Sequence, residues 1–320
     1  MTKFRCAILD DYQNIALKIA DWSVLSDKID IIVFPNHFKN EAELISALHD
    51  KEIIVIMRER TPFTKSLFEH LPKLKLLITS GPRNASIDLE TAKKFGVVVC
   101  GTASHKEPPM ELTWGLILNL ARNISLENNA IKSSGIWQST VGVGLKGKTL
   151  GLLGLGKIGS LMVPVAKAFG MQVMAWSENL TADRTEALEI SFAKSKQELL
   201  RESDFISIHL VLSDRTRHLL MADDLKCMKR TSYLINTSRA QIVDQVALIQ
   251  ALKENWIAGA GLDVFEIEPL PSDHVLRQLK NVVVTPHLGY VTQENYHIFF
   301  GEAVENIVAF LNGSPIRALK

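Results

Sequence analysis

One stretch in the middle of the chain constrains the fold more than any other: Thr149–Gly159, with the sequence TLGLLGLGKIG. Its first residues are aliphatic and are typical of a short buried strand. Gly154, Gly156 and Gly159 follow with G-x-G-x-x-G spacing, and a helical pattern begins directly after them. The first glycine permits a tight turn, the second a close approach of a pyrophosphate, and the third close helix–strand packing. The stretch predicts a dinucleotide-binding unit; the alternative is a structural strand-to-helix turn without a ligand.

About 150 residues precede this stretch, which is enough for a second domain. The chain has 320 residues, 47% of them hydrophobic and 22% charged, as in ordinary globular proteins. Its formal net charge of +1 does not favour a nucleic acid or an anionic membrane as a partner. No apolar run approaches the roughly 20 residues that a membrane-spanning helix requires, and the first residues do not resemble a signal peptide. Cys6, Cys100 and Cys227 lie far apart, without metal-binding or redox spacing, so we expect reduced thiols in a cytoplasmic protein.

Both halves of the chain alternate strand-like and helix-like segments, a pattern typical of parallel sheets covered by helices. Asn40, Asp88 and Asp244 precede amphipathic segments and are predicted N-caps. The predicted strands are Cys6–Leu9, Ile29–Phe34, Ile53–Met57, Leu74–Thr79 and Val97–Val99 in the first half, and Thr149–Leu153, Gln172–Trp176, Phe205–His209, Ser232–Asn236, Gly259–Asp263 and Val282–Thr285 in the second.

Some helix predictions are specific enough to be compared directly with a structure. Amphipathic spacing predicts a helix near Tyr12–Trp22, and a longer one that begins at Pro109 and runs through Arg122 toward Ile131. Ser195 and Glu198 have the spacing of a capping box. Pro164 lies inside the helix that follows the glycine loop, where its ring is expected to cause a kink.

Three chemically versatile side chains follow predicted strands of the second half. Arg239 comes after Ser232–Asn236, Glu268 comes shortly after Gly259–Asp263, and His287 comes after the last strand. Ligands of open parallel sheets bind beyond the carboxyl ends of the strands. An arginine, a carboxylate and a histidine are therefore expected at one edge, near a bound dinucleotide.

These residue types suit hydride transfer at an alcohol carbon that bears a carboxylate. The guanidinium of Arg239 can hold a carboxylate and polarise a carbonyl oxygen. Histidine titrates near neutral pH, so His287 can accept the hydroxyl proton or return it. Glu268 can hydrogen-bond the far ring nitrogen and fix the tautomer. Each residue also has a structural interpretation. Arg239 could be a solvated loop cation, Glu268 a turn residue, and His287 a histidine whose hydrogen bonds are made within the protein.

Several motifs closely resemble the D-isomer-specific 2-hydroxyacid dehydrogenases. They are GLGKIG at 154–159, HLVLSDRTRHLL at 209–220, NTSRAQIVD at 236–244, GLDVFEIEPL at 261–270 and TPHLGY at 285–290, with further similarity in RNASID at 83–88 and ELTWGLIL at 111–118. The resemblance covers nearly the whole chain. It implies an α/β fold with two Rossmann-like or flavodoxin-like parallel-sheet domains and an active-site cleft between them. The implied substrate-binding domain is 1–103 plus 291–320, the implied dinucleotide-binding domain is 104–290, and the implied homodimer forms through the segment Glu111–Lys148.

The resemblance also assigns roles to individual residues. It implies that Arg239 binds the substrate, that His287 is the acid/base and Glu268 its partner carboxylate, and that Asp263 contacts the nicotinamide amide. The implied cofactor-lining positions are Gly154, Gly156, Lys157, Ile158, Gly159, Ser80, Val211, Thr216 and Thr237.

One departure from the family pattern concerns the cofactor. NAD-selective sites place an acidic residue at the end of the second strand, where it meets the ribose 2′-hydroxyl. Ser177 stands at that position, Glu178 is adjacent, and the nearest downstream arginine is Arg184. We expect NAD to be the cofactor, with Ser177 close to the ribose, and NADP remains open.

A second departure concerns the substrate carboxylate. Ser80-Gly81-Pro82 falls where the family presents backbone N–H groups to the substrate acid, and Pro82 has no N–H. We therefore expect Ser80, Gly81 and either Arg58 or Arg83 to supply the anion contacts. The alternative is that both arginines are structural or exposed cations.

The expected activity is the reversible conversion of a small D-2-hydroxy acid and its 2-keto acid. Within that class, 3-phosphoglycerate dehydrogenation and glyoxylate or hydroxypyruvate reduction are both candidates. Because the chain ends at Lys320, soon after the last predicted helix, we expect no C-terminal serine-sensing domain. A candidate from a different class is a non-catalytic, NAD(H)-sensing protein like the corepressors that share this fold, which can retain the arginine, glutamate and histidine.

Overall fold

The computed structural model describes residues 3–319, which form two compact units. Within these residues, the first unit comprises 3–105 and 292–319, and the second comprises Lys106–Val291. Each unit is built on a parallel sheet, so the α/β prediction is confirmed. Between residues 3 and 319, no helix combines the length and the apolar character needed to cross a membrane.

The first unit contains a five-stranded parallel sheet with the strand order β2-β1-β3-β4-β5. Two strands in the middle of this sheet, Ile53–Ile56 and Leu76–Thr79, are buried along their whole length, as expected when helices cover both faces. The strands are β1 (Phe4–Ile8), β2 (Ile29–Val33), β3 (Ile53–Ile56), β4 (Leu76–Thr79) and β5 (Val98–Cys100), and the helices are α1 (Ala16–Ile19), α2 (Glu41–Leu48), α3 (Lys65–Glu69) and α4 (Leu89–Lys94).

The first helix is much shorter than its amphipathic pattern predicts. Only Ala16–Ile19 of the predicted Tyr12–Trp22 helix is α-helical. The buried carboxylate of Asp11 accepts hydrogen bonds from the backbone N–H groups of Ile15 and Ala16, at 3.1 and 2.9 Å. This capping fixes the beginning of the helix after Asn14, whose φ of +49° is left-handed and incompatible with a helix running through it.

The second unit contains a seven-stranded parallel sheet with the order β12-β11-β10-β9-β6-β7-β8. Because β6 lies between β7 and β9, the loop after β6 is at the topological switch point, where ligands of such sheets bind. The strands are β6 (Thr149–Leu153), β7 (Gln172–Trp176), β8 (Ser191–Phe192), β9 (Phe205–Ile208), β10 (Tyr233–Asn236), β11 (Gly259–Leu262) and β12 (Val282–Val284), and the helices are α5 (Glu107–Arg122), α6 (Ile124–Lys132), α7 (Lys157–Ala168), α8 (Ala182–Glu186), α9 (Lys196–Glu202), α10 (Ala222–Cys227) and α11 (Gln245–Lys253).

The long helix predicted from Pro109 toward Ile131 is divided into α5 and α6. Asn123, with a φ of +53°, interrupts it in the left-handed region, which asparagine tolerates better than most residues. The Asn119 side chain accepts the N–H of Ser125 at 2.8 Å and stabilises the break. In α7 the helical assignment continues through Pro164, and the kink expected there stays a prediction.

The predicted N-caps are confirmed, with one difference in detail. The Ser195 hydroxyl accepts the Glu198 N–H at 3.1 Å, but the Glu198 carboxylate accepts the N–H of Lys194, at 2.6 Å, and not that of Ser195. The reciprocal half of the predicted capping box is therefore wrong by one residue. The other three predicted caps each accept a backbone N–H group through a side-chain oxygen. The distances are 2.9 Å for Asn40, 2.9 Å for Asp88 and 3.0 Å for Asp244.

The last helix, α12 (Gln293–Leu311), returns the chain to the first unit. Thr292 caps it by accepting the Asn295 N–H at 3.3 Å. The buried side chain of Asn306 donates to the Gly101 carbonyl at 2.9 Å, and the Leu319 N–H donates to the Val99 carbonyl at 2.8 Å. These bonds attach the C-terminal segment to the end of the first unit's sheet.

Candidate active site

The glycine loop between β6 and α7 has the geometry that its spacing predicts. Gly154 has a φ of +103°, and a Cβ on it would lie 2.7 Å from the carbonyl oxygen of His209. A Cβ on Gly159 would lie 2.1 Å from the Gly154 carbonyl oxygen. A Cβ on Gly156 would instead point into open space, the side from which a phosphate can approach the backbone. The first and third glycines are thus required by the fold, and the second by access.

The start of α7 is suited to an anion. Gly156 is its N-cap, and Lys157 and Ile158 occupy the first turn, whose N–H groups lack partners within the helix. The helix dipole and these N–H groups together favour a phosphate at this position. The Arg184 side chain donates to the Leu155 carbonyl at 2.6 Å and so braces the loop. The residues present therefore fit the pyrophosphate of a dinucleotide.

A pocket of about 340 Å³ lies beside the loop, at the ends of β7 and β9. Ser177, Val211 and Thr216, three of the predicted cofactor residues, line it. The Thr216 hydroxyl donates to the Val211 carbonyl at 2.7 Å and holds this segment in a turn. Glu178 and Arg215 line the same pocket. Sequence reasoning missed Arg215 because it follows β9 by seven positions, too far for a strand-end rule to single it out.

Glu268 and His287 are in direct contact. The Glu268 Oε2 atom lies 2.7 Å from His287 Nδ1, and Glu268 Oε1 accepts the Phe265 N–H at 2.9 Å. The two side chains are 26% and 17% exposed respectively, so the pair is partly shielded from water but reachable. A carboxylate on Nδ1 orients the ring and leaves Nε2 as the nitrogen for proton exchange.

Tyr290 restrains the same histidine from another side. Its ring meets the His287 ring edge-on, with centroids 5.5 Å apart and an interplanar angle of 67°. Tyr290 is only 9% exposed. Sequence reasoning noted this tyrosine only as part of TPHLGY, since nothing in its position along the chain indicates a contact with a residue three places earlier.

Asp263, at the end of β11, is completely buried, at 0% exposure. Its Oδ1 accepts the Thr285 hydroxyl at 2.6 Å and the Leu288 N–H at 2.7 Å, and its Oδ2 accepts the Gly289 N–H at 2.9 Å. Burial raises the pKa of this carboxyl group above its ordinary value, and the three hydrogen bonds oppose that shift. The contacts surround the turn that carries His287.

Arg239 follows β10 at the carboxyl edge of the second unit's sheet. Asn236 fixes the local backbone by donating to the Arg239 carbonyl at 2.9 Å and accepting the Ser238 N–H at 3.0 Å. The guanidinium donates to the Ser238 carbonyl at 2.7 Å. Thr237 contacts the Thr113 hydroxyl at 2.8 Å. Since β10 pairs with β11, the side chains after these strands emerge at the same edge as Asp263.

The substrate contacts predicted in the first unit are adjacent to one another. Arg58, with a φ of +51°, donates its N–H to the Ser80 hydroxyl at 2.9 Å, and its guanidinium lies over Gly81, where a Cβ would be 1.8 Å from Nη1. The Gly81 N–H is already donated to the Thr102 hydroxyl at 2.7 Å, and the Ser80 N–H to the Ile56 carbonyl at 3.1 Å. Both N–H groups are thus engaged by protein atoms, contrary to the expectation that they bind the substrate acid. The Arg58 guanidinium is engaged as well: it donates to the Ser80 carbonyl at 3.4 Å, and its Nε lies 3.6 Å from the Glu59 carboxylate.

His209 is a further histidine of the second unit, directly behind the glycine loop. Its Nε2 lies 2.9 Å from the Ser207 hydroxyl. Burial lowers the pKa of His209 to about 4, because the charged ring would lose its hydration. The residue is therefore neutral near pH 7 and supports the loop structurally.

Comparison with known proteins agrees with this arrangement. The family model described as "D-isomer specific 2-hydroxyacid dehydrogenase, NAD binding domain" matches residues 114–289. A glyoxylate reductase of Aeropyrum pernix is 41% identical over 256 residues, covering 77% of this chain and 76% of that protein. A D-3-phosphoglycerate dehydrogenase of Methanocaldococcus jannaschii is 35% identical over 285 residues, covering 84% of this chain and 54% of that protein. A crystal structure of phosphoglycerate oxidoreductase from Vibrio cholerae superposes with a TM-score of 0.92 at 36% identity, covering 97% of this chain and 100% of that one.

The family model and the named relatives identify the chain as a nicotinamide-dependent oxidoreductase, in agreement with its Rossmann-type unit and dinucleotide loop. This chain belongs to the D-isomer-specific 2-hydroxyacid dehydrogenase family. It is an NAD(H)-dependent enzyme that interconverts hydroxy and keto acids.

Proposed function

We propose that this enzyme reduces a small 2-keto acid to the D-2-hydroxy acid, and catalyses the reverse reaction, with His287 as the acid/base. The observation that carries the proposal is the 2.7 Å contact between Glu268 and His287 Nδ1. The pair stands at the carboxyl edge of the sheet whose switch point carries the glycine loop. Arg239, Glu268 and His287 form the proposed catalytic set.

The bound cofactor supplies the hydride acceptor or donor. Gly156, Lys157 and Ile158 are proposed to hold its pyrophosphate at the start of α7, with Gly154 and Gly159 shaping the turn. Ser177, Val211 and Thr216 are proposed to line the adenosine side, in the pocket of about 340 Å³. The resemblance also implies cofactor contacts for Thr237, Asp263 and Ser80. The Thr237 hydroxyl contacts the Thr113 hydroxyl, the Ser80 hydroxyl accepts the Arg58 N–H, and Asp263 is completely buried.

The chain's own residues account for the proton. In keto acid reduction, His287 donates a proton from Nε2 to the developing alkoxide, and Glu268 stabilises the ring through Nδ1. In the reverse direction the same nitrogen accepts the hydroxyl proton. The contact with Glu268 keeps a proton on Nδ1 throughout, so that Nε2 alone exchanges.

Each unit contains one arginine that we propose as a substrate contact. Arg239 offers a planar fork of donors at the edge that also bears His287. Arg58 lies over Gly81 in the first unit, and the N–H groups of Ser80 and Gly81 are already used internally. Substrate selection in the first unit therefore rests mainly on a guanidinium and not on a backbone cradle.

Replacing Arg58 with alanine is expected to raise KM for the keto acid about 10-fold, because one charge-assisted contact to the carboxylate is lost. The change in kcat should be smaller, since Arg58 is not proposed to touch the reacting carbon. Initial rates against keto acid concentration at saturating NADH measure both quantities. Arg5→Ala, which removes an arginine from β1 that pairs with Asp50, is the matched control. An unchanged KM would remove Arg58 from the site.

The relatives point to two substrate groups. The proteins named glyoxylate reductase favour a two- or three-carbon 2-keto acid, and the proteins named phosphoglycerate dehydrogenase favour a phosphorylated hydroxy acid. The first group is the leading proposal, because the relative with 41% identity belongs to it. NAD(H) is the proposed preferred cofactor, because the Glu178 carboxylate lines the pocket beside Ser177 and opposes a 2′-phosphate.

A panel of 2-keto acids assayed with NADH and with NADPH tests the proposal. Glyoxylate, hydroxypyruvate, pyruvate and 3-phosphohydroxypyruvate should be included, and absorbance at the nicotinamide band reports turnover. Rapid oxidation of NADH with at least one small keto acid is the expected result. Tight NADH binding without turnover across the whole panel would instead favour the non-catalytic, cofactor-sensing function.

The proposal extends to a homodimer acting in the cytoplasm. Large apolar side chains are exposed within the segment Glu111–Lys148, among them Ile136 at 74%, Trp137 at 72% and Val141 at 96%. Exposed apolar groups so close together are typical of a protein interface. Light scattering is expected to report about twice the chain mass of 35.7 kDa, and a monomer mass would contradict the dimer. The proposed cytoplasmic location is based on the three cysteines, Cys6, Cys100 and Cys227, which are free thiols.

A further inference from the structure

Arg58 has an uncommon backbone conformation. Its φ of +51° lies in the left-handed region, which a bulky residue other than glycine adopts only when its surroundings impose it. Its backbone N–H donates to the Ser80 hydroxyl at 2.9 Å, and its carbonyl accepts a hydrogen bond from the Asn84 side chain at 2.6 Å. Both backbone polar groups of Arg58 are therefore held by side chains that follow β4.

The orientation of the Asn84 amide is fixed by its partners. Its Oδ1 accepts the Ser86 N–H at 2.9 Å and the Ser86 hydroxyl at 2.7 Å, and its Nδ2 also donates to the Thr79 hydroxyl at 2.9 Å. A backbone N–H can only donate and a backbone carbonyl can only accept, so the amide oxygen must face Ser86 and the amide nitrogen must face Arg58. Asn84 is only 6% exposed, so its bond to the Arg58 carbonyl is shielded from water.

The guanidinium of Arg58 extends from this segment to Gly81. A Cβ on Gly81 would lie 1.8 Å from Nη1 and 3.1 Å from Cζ, so a glycine leaves the space that the guanidinium occupies. The contacts of the guanidinium with the Ser80 carbonyl and the Glu59 carboxylate are long, at 3.4 and 3.6 Å. The bonds to the Arg58 backbone are much shorter, and they fix the direction in which the side chain leaves the chain.

We propose that Asn84 is a positioning residue, which holds Arg58 in its left-handed conformation and thereby directs the guanidinium over Gly81 to meet the substrate carboxylate. The inference rests on the proposed role of Arg58 as a substrate contact. Asn84 acts through the Arg58 carbonyl and is not itself proposed to touch the substrate. Pro82 offers no N–H, and the N–H groups of Ser80 and Gly81 are engaged within the protein. The position of this guanidinium therefore governs carboxylate recognition in the first unit.

Asn84→Ala and Asn84→Asp test the inference in two ways. Alanine removes the whole amide without adding charge. Aspartate keeps the size and an acceptor for Ser86, but it places a carboxylate oxygen against the Arg58 carbonyl, where no hydrogen bond can form. In both variants we expect KM for the keto acid at saturating NADH to rise about 3- to 10-fold, with kcat changed less than about 2-fold. Agreement between the two variants excludes the charge of aspartate as the cause.

Oxamate provides a measurement that needs no turnover. It has a carboxylate next to a carbonyl carbon but is not reduced, so its binding to the enzyme–NADH complex reports carboxylate recognition alone. Quenching of NADH fluorescence measures this binding. The oxamate dissociation constant should rise by the same factor as KM in each Asn84 variant, whereas the NADH dissociation constant should change less than about 2-fold.

A double-mutant cycle separates positioning from general damage to the fold. In the Arg58→Ala background no guanidinium is left to direct, so Asn84→Ala should there change KM less than about 2-fold. Ser86→Ala removes one bond from the oxygen side of the same amide, and Asn36→Asp makes the same chemical change at an exposed position of the first unit. Both controls should keep the parent KM and oxamate affinity. Circular dichroism and the melting temperature establish that each variant is folded.

Three outcomes would overturn the inference. If KM and the oxamate dissociation constant are unchanged in folded Asn84→Ala, Asn84 does not position Arg58. If the factors for Asn84→Ala and Arg58→Ala multiply in the double variant, Asn84 supports the site by another route. Both results leave the substrate contact of Arg58 intact. Failure of that contact is a separate result, in which Arg58→Ala itself leaves KM unchanged, and it removes the basis of the inference as well.

Discussion

Replacing His287 with alanine is expected to lower kcat at least about 10²-fold, while NADH binding is retained. The alanine side chain cannot donate a proton to the alkoxide, so water must replace the imidazole. The Nδ1 contact with Glu268 at 2.7 Å shows that the ring is already oriented in the structure, and this preorganisation is lost as well. Single-turnover absorbance of NADH measures the chemical step, and fluorescence titration measures the NADH affinity.

The histidine at position 49 provides a matched control. His49 is exposed at the end of α2, where the chain turns toward the amino end of β3, and its removal should leave kcat unchanged. A comparable fall in NADH affinity and kcat in His287→Ala would show that the histidine supports the cofactor site. Full turnover in that variant would exclude it as the acid/base.

Replacing Arg239 with glutamine is expected to lower kcat/KM about 10² to 10³-fold. Truncating one partner of a partly buried, charge-assisted pair typically costs about 2–5 kcal/mol, part of which is the penalty of leaving the substrate carboxylate without its partner. Arg239→Lys keeps the charge but not the planar fork, so it should recover only part of the loss. Keto acid saturation curves at fixed NADH separate the effects on KM and kcat.

The two ends of β10 supply the control for Arg239. Arg230 precedes this strand and is exposed, whereas Arg239 follows it at the carboxyl edge. Arg230→Gln removes the same charge from the opposite end and is expected to leave kcat/KM unchanged. Equal losses in both variants would mean that net charge, and not a specific contact with the substrate, accounts for the effect.

The features predicted most completely from sequence depend on local steric rules. The loop Thr149–Gly159 combines a β-strand, three glycines and a helix start in one short stretch, and backbone sterics specify Gly154 and Gly159, whereas Gly156 leaves room for a ligand. Every predicted strand overlaps an observed one. Strands of a parallel sheet are buried on both faces, so they are near-continuous aliphatic runs that can be recognised in the sequence. Only the two-residue strand β8 lacked a hydrophobic run that could have revealed it.

The features that sequence reasoning missed depend on contacts across the fold. The Tyr12–Trp22 segment has the periodicity of a helix, but the Asp11 carboxylate caps it at Ile15 and Ala16 and so shortens it. The Ser80 and Gly81 N–H groups are used by Ile56 and Thr102, partners that only β-sheet pairing brings near. Strand-end positions predicted which edge the candidate residues share, but not that Glu268 reaches His287 across 19 positions.

The burial of His209 has a consequence for how the enzyme meets its nucleotide. Because its pKa is lowered to about 4, this imidazole stays mostly neutral between pH 5 and 8 and adds little positive charge beneath the glycine turn. The attraction for a diphosphate is therefore expected to come from the oriented peptide dipoles at the start of α7 and not from this histidine. Protonation of His209 is therefore not expected to change the nucleotide affinity over that interval.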